Sequence, residues 1–191
     1  IQTTSIIAVL TSASLAAGLA LQGSLANFAG GVLILVLKPF VVGDYIIEDT
    51  HGNEGTVIHI STVYTKLKTI DNKTIVIPNG TLANSSLTNL THMDKRMIDL
   101  KIGVSYDTDL KKAKDVMTEV LMAEEARILE EPVKVFVSEL GASEVTIGCR
   151  FWVKTEDYWE AKWRVTENLK NALDEHQIEI PFQQIDVNLK K

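Results

Sequence analysis

Several absences narrow the function of this chain before any motif is read. It has one cysteine, Cys149, among 191 residues, so no intrachain disulfide can form. A lone cysteine inside the strand-like run GCRFWV reads as a small buried apolar residue. There is no basic excess. The net charge of -6 argues against general nucleic-acid binding, which needs a positive footprint. No catalytic constellation is visible. His51, His59, His92 and His176 are scattered, none in an H-E-x-x-H or paired metal spacing, and they read as surface or core histidines. Gly30-Gly31 lacks the following Lys-Ser/Thr of a phosphate-binding loop. No catalytic residue, metal or cofactor is therefore expected. No basic leader precedes the first apolar stretch, which is longer than a signal-peptide core, so a signal peptide is not expected. No fixed-period repeat is present.

The absence with the most consequence is that of charge. Residues 1–37 carry none, and the first charged side chain is Lys38. Such a run would expose more apolar surface than a soluble domain tolerates, and it suits a bilayer. About 20 helical residues cross a hydrocarbon core, so one straight span does not fit a run nearly twice as long. Glycine lowers the cost of a break. Residues 2–22 are therefore expected to form a membrane-crossing helix, bent at Gly23. A second helical segment over 24–37 would carry an apolar stripe of Leu25, Phe28, Ala29, Val32, Leu33 and Val36. Gly30 and Gly31 are further candidate hinge positions.

The crossing segment is rich in small residues. Ser14 and Gly18 form a small-xxx-small pair, and Ser12, Ala16 and Ala20 form a second row. Such faces let helices approach closely in lipid. Leu15 and Leu19 share another face. Two readings stay open: an anchor helix that dimerises, or a helix packed against copies of itself around an axis. In the second, the two leucines form rings that close a pore by excluding water. Lys38, just past the run, favours the cytoplasmic side for the residues after it.

The remaining length allows one or two compact domains. Residues 45–47, 55–60, 63–69 and 74–77 read as short strands, separated by turn material at 51–53 and 71–73. They suggest a small barrel or sandwich. Asn79-Gly80 after Pro78 is a turn signal that ends this domain. From residue 96 the rhythm changes. Residues 97–104 read as a strand. Asp109 is the expected N-cap of a helix burying Leu110, Ala113, Val116, Met117, Val120 and Leu121. Residues 133–137 alternate weakly. Residues 144–154 alternate clearly, with Val145, Ile147, Cys149, Phe151 and Val153 on one face. Residues 158–175 read as a second helix, and a final strand starts at Ile178 or beyond Pro181. The order β-α-β-β-α-β matches a split-βαβ, ferredoxin-like arrangement. Residues 184–189 alternate Ile185, Val187 and Leu189, a strand too short to stand alone. Glu124-Glu125 reads as a solvated face. Trp152, Trp159 and Trp163 read as packing residues, an aromatic ligand cage being the alternative.

A resemblance adds to these readings. The run from Ala8 to Gly31, above all GLALQGSLANFAGGV over 18–32, resembles the pore helix of the small-conductance mechanosensitive channel family of bacteria. So do KPF at 38–40, GD at 43–44, VIPNG at 76–80, GVSYDTD at 103–109 and LGAS at 140–143, in the family's order across the chain. Thr11 and Ser14 stand where relatives often carry glycine, and the chain begins where the family's third transmembrane helix begins.

The resemblance implies a pore-lining helix over 1–37, a small all-β (Sm-like barrel) domain over 38–87 and a ferredoxin-like cytoplasmic domain over 88–182. Residues 183–191 would supply one strand of a parallel β-barrel built by all subunits. It implies a gate at Leu15 and Leu19 and a pore-lining or packing face of Ser12, Ser14, Ala16, Gly18, Ala20 and Gln22. It implies a contact from Asn27 to Asn79 and Gly80, and a side portal near Asp99. The implied protein is a homoheptamer in the bacterial inner membrane, multi-pass, with lipids, permeant ions and small solutes as its partners. It would open under tension during hypo-osmotic shock. The competing expectation is a membrane-anchored module that binds a ligand or nucleic acid and has no pore.

Overall fold

The computed structural model describes residues 3–185, with side chains from Ile6 onward. The chain divides into two compact units, Ile1–His92 and Met93–Lys191. In the first, helix α1 (Thr3–Leu37) runs for 35 residues without interruption. The expected end of a helix at Gln22 is not seen. Nothing in the sequence forces one, because Gly23 costs a helix only about 1 kcal/mol and no proline follows before Pro39.

Beyond α1, strands β1 (Tyr45–Glu48), β2 (Asn53–Ile60), β3 (Tyr64–Lys68), β4 (Thr74–Pro78) and β5 (Leu87–Asn89) form one antiparallel sheet in the order β4-β3-β2-β1-β5. A short helix α2 (Asn79–Asn84) links β4 to β5. Two expectations change here. Asn79-Gly80 opens α2 and does not end the domain. Thr88 and Asn89 pair with Ile47 and Ile46, so the expected boundary at 87/88 falls inside a strand and moves to 92/93. Ile46, Val57, Leu67, Ile77 and Leu82 form the core, together with Ile34 of α1 and Phe40. Glu48 is fully buried, yet its carboxylate caps the β1–β2 turn. It accepts from Thr50 N at 2.9 Å, His51 N at 3.1 Å and Asn53 Nδ2 at 3.4 Å. Gly52 at φ 68° supplies the left-handed residue that this turn needs.

The second unit holds β6 (Lys95–Val104), α3 (Leu110–Met122), β7 (Lys134–Leu140), β8 (Val145–Lys154) and α4 (Tyr158–Glu175). The strands form an antiparallel sheet in the order β6-β8-β7. Asp109 caps α3, accepting from Lys111 N at 2.9 Å and Lys112 N at 3.2 Å. The alternating side chains of β8, Cys149 among them, are buried against Ala113, Met117 and Leu121 of α3 and Val165, Leu169 and Leu173 of α4. Burial pushes the Cys149 thiol up to about 12, which keeps it a neutral packing group.

The expected strand after α4 is absent through residue 185; the rest of the proposed 184–189 strand lies outside the described residues. Gln177 at φ 58° turns the chain out of α4, and Ile178 N donates to Leu173 O at 2.8 Å. Ile178 drops into the core as a single side chain. Pro181, which has no N–H to give a ladder, comes three residues later. Two further expectations are corrected. Trp159 and Trp163 are 47% and 65% exposed, because the inward stripe of α4 is Ala161, Val165, Leu169 and Leu173. Glu124 is buried and paired with Arg164, whose Nε lies 3.1 Å from Oε2.

That pair makes a stability prediction. Burial pushes the Glu124 carboxyl up, but the Arg164 guanidinium and the Ala126 amide more than offset this and hold it below the usual range. A carboxylate with a depressed pKa stabilises the fold above its unfolded pKa, and the contribution is lost as pH falls through the folded value. Because Arg164 is half exposed, Glu124→Gln should cost a modest 1–2 kcal/mol, roughly, near neutral pH. The cost should vanish toward acid pH. Thermal melts of both proteins across pH check this; equal melts at pH 7 would refute it.

Candidate functional site: the apolar helix and its anchor on the sheet

α1 divides by environment. From Ile6 to Ala26 every side chain is exposed in the single chain. Leu15 and Leu19 are each 64% exposed. Ser12, Ser14, Ala16, Gly18, Ala20 and Gln22 lie on the same free stretch. A Cβ added at Gly18 or Gly23 would meet nothing within 4 Å. Two hydroxyls are satisfied within the helix: Thr11 Oγ1 donates to Ile7 O at 2.9 Å and Ser12 Oγ to Ala8 O at 2.8 Å. A serine so paired can face hydrocarbon or another helix without an unmet hydrogen bond.

From Asn27 onward the helix is held by the sheet. Asn27 Oδ1 accepts from Gly80 N at 3.0 Å, the first turn of α2. Gly30 and Gly31 are buried. A Cβ at Gly30 would sit 2.6 Å from Asn79 O, and one at Gly31 would overlap the Thr62 carbonyl. The two glycines therefore allow backbone to meet backbone; they are not a break in the helix, which continues through both. Asn79 sits at the centre and is fully buried. Its Oδ1 accepts from Thr65 Oγ1 at 2.8 Å, its Nδ2 donates to Ser61 O at 2.8 Å, and its N donates to Val63 O at 2.9 Å. Buried polar groups satisfied in this way fix one arrangement, since any slip leaves a donor or acceptor unpaired.

The structure thus brings Asn27, Asn79, Gly80, Gly30 and Gly31 together. It leaves Ser12 to Gln22, with Gly23, as a rod without a partner among the described residues. Asp99 stands apart on β6, in the other unit. Ser61, Thr62 and Thr65 were missed by sequence reasoning. Thr65 gave one signal: it shares the inward face of β3 with Leu67, where a hydroxyl needs a partner. No group of three or more His, Cys, Asp or Glu positioned to hold a metal occurs among the described residues.

Comparisons with known proteins agree with this architecture. Residues 23–92 match the model of the mechanosensitive ion channel beta-domain, and residues 98–180 match that of the mechanosensitive ion channel MscS C-terminal region. An uncharacterised MscS family protein of Buchnera aphidicola subsp. Baizongia pistaciae is 40% identical over the whole chain, which spans 67% of that protein. The small-conductance mechanosensitive channel of Edwardsiella ictaluri is 43% identical over 93% of the chain, covering 62% of its own length. Among solved structures, the closed-state MscS of Helicobacter pylori superposes with a TM-score of 0.93 at 34% identity, covering all of this chain and 75% of the other. The chain spans about two thirds of the curated relatives it matches. With its apolar helix docked through paired glycines onto an antiparallel sheet, it belongs to the MscS family of small-conductance mechanosensitive channels.

Proposed function

We propose that α1 lines the pore of a homo-oligomeric channel that opens under membrane tension and releases ions and small solutes on hypo-osmotic shock. The observation that carries this reading is the division of α1: an uncharged rod with no partner among the described residues, continuing into a segment locked to a folded sheet. A rod of this kind is covered by lipid and by copies of itself. The small row from Ser12 to Ala20 lets neighbours slide and tilt, and Leu15 and Leu19 form the rings that dry when the pore closes. The open state occupies more membrane area, so tension favours it. Expression of the intact protein in bacteria lacking such channels should raise survival of osmotic downshock. Survival no better than with an empty vector would refute the function.

The same proposal extends to the finer architecture. The first sheet is an Sm-like domain through which subunits join, and the second unit is a ferredoxin-like domain forming part of a hollow cytoplasmic cage under the inner membrane. Asp99 lies near a side portal, and the C-terminal residues close a parallel barrel at the far end. Seven copies is the expected number. Gly23, where α1 is continuous here, is the residue at which the helix would bend in another state, between the free rod and the anchored segment. Alanine there favours the continuous helix by about 1 kcal/mol per subunit, repeated around the ring. Gly23→Ala should therefore change the decay of current under sustained tension while leaving a heptamer in native mass spectrometry. Normal decay with a weakened oligomer would instead assign Gly23 to helix packing.

A further inference from the structure

The docked part of α1 meets the sheet through Asn27, Gly30 and Gly31, and a second tie sits just past its end. The helix stops at Leu37 because Lys38 turns left-handed, at φ 47°, and Pro39 follows. Residues 38–44 then lead to β1. Phe40 is buried, but Val41 and Val42 are exposed, so packing alone does not fix this stretch.

A pair of side chains does. Asp44 Oδ2 accepts from Val41 N at 2.9 Å and from Asn89 Nδ2 at 2.8 Å. Asn89, on β5, also directs Nδ2 to Pro39 O at 3.4 Å. Its Oδ1 accepts from Thr91 N at 3.1 Å and His92 N at 3.0 Å, where the first unit ends. Backbone donors on one side and oxygen acceptors on the other leave the Asn89 amide one orientation. One side chain thus joins the exit of α1 to the strand by which the chain leaves the first unit. Only an amide can fill this place, accepting from the turn and donating to a carboxylate at once. Aspartate at 89 would keep the turn but set two carboxylates against each other.

We propose that Asp44 and Asn89 form a latch that clamps the exit of the docked α1 segment to β5 and holds the non-conducting arrangement reached under sustained tension. This rests on the reading of the protein as a tension-opened channel with α1 docked in that arrangement. A segment fixed at both ends moves with the sheet. Released at its exit, it can lift about the Asn27–Gly80 contact that remains. Losing the net contribution of one hydrogen bond shifts such a balance about three- to tenfold in each subunit.

The test uses the intact channel, with size-exclusion profiles confirming assembly. Hydrogen exchange read by mass spectrometry over residues 38–43 reports the latch, and current decay at constant suction in liposome patches reports its role. Asn89→Asp should speed exchange there and slow decay about three- to tenfold. Asp44→Asn alone should do little, because its amide oxygen still accepts from Val41 N and Asn89 Nδ2. Combined with Asn89→Asp, it remakes the bond with donor and acceptor exchanged, and both readouts should return toward wild type. Asp44→Ala combined with Asn89→Asp relieves the repulsion without remaking the bond, and should stay as slow as Asn89→Asp. Faster exchange with wild-type decay would confine the pair to a structural role and overturn the proposal. Equal behaviour of the two double variants would overturn the pairing. Wild-type current that never decays would overturn the latch's role and leave the channel reading standing; no current at all would overturn both.

Discussion

Leu19→Ser should lower the tension needed to open the channel, and cells carrying it should grow poorly through leak. Leu19 is 64% exposed in the single chain. In the proposed gate its apolar surface would face its own copies and an evacuated constriction in the closed ring. Opening wets that ring. Exposing one leucine side chain to water costs up to about 2 kcal/mol, and even a third of this, repeated in every subunit, is several kcal/mol per channel. Serine removes most of that cost and gives water a hydrogen-bonding partner at the narrowest level, so the dry state loses its advantage. A gap of this size moves a two-state equilibrium by orders of magnitude, and the midpoint tension shifts accordingly. The midpoint in excised patches, measured against a co-reconstituted channel of known threshold, reads the effect. An unchanged midpoint would place Leu19 against lipid or a neighbouring helix and remove it from the gate.

Gly31→Val should have the largest effect at the anchor. Even a Cβ at this position overlaps the Thr62 carbonyl, which is strand-connecting backbone and cannot rotate away. The side chain must push α1 off the sheet or distort the Asn79 cluster beside it, where a Cβ at Gly31 would also sit 2.6 Å from Asn79 Nδ2. Overpacking of this kind costs about 1–3 kcal/mol, and separating Asn79 from Ser61 or Thr65 adds the penalty of an unpaired buried polar group. If the docked segment stabilises the non-conducting state reached under sustained tension, as the resemblance to the family implies, Gly31→Val should slow or abolish current decay at constant suction. Asn27→Ala should act in the same direction but less, because it removes only one hydrogen bond, at 3.0 Å. Wild-type decay in both variants would confine the anchor to a structural role.

How much of the fold and of the anchor is legible in the chain depends on how local each signal is. α4 spans 158–175 as its apolar spacing indicates, and β8 alternates as written, because both patterns are set by neighbours three, four or two residues away. The same spacing places Trp159 and Trp163, four apart, off the stripe of Ala161 and Val165, so their exposure was legible in principle. In α1 the expected stripe of Leu25, Phe28, Ala29, Val32, Leu33 and Val36 is exposed; the face held by the sheet is instead Asn27, Gly30, Gly31 and Ile34, because glycine is what lets the backbones meet there. Gly30 and Gly31 look like hinge residues locally, but the backbone that needs them arrives from residues 62 and 79. α2 is six residues opened by Pro-Asn-Gly, which locally spells a turn. Glu124 reads as solvated beside Glu125 because its partner, Arg164, lies 40 residues further on.

The measurement that bears most directly on the central claim is patch recording from liposomes holding only the purified, intact protein, with suction applied in steps. Stepwise currents that appear reversibly above a fixed suction, scale with membrane tension and vanish on release are the expected result. A membrane that stays silent up to rupture, in the presence of assembled oligomer, would contradict the account.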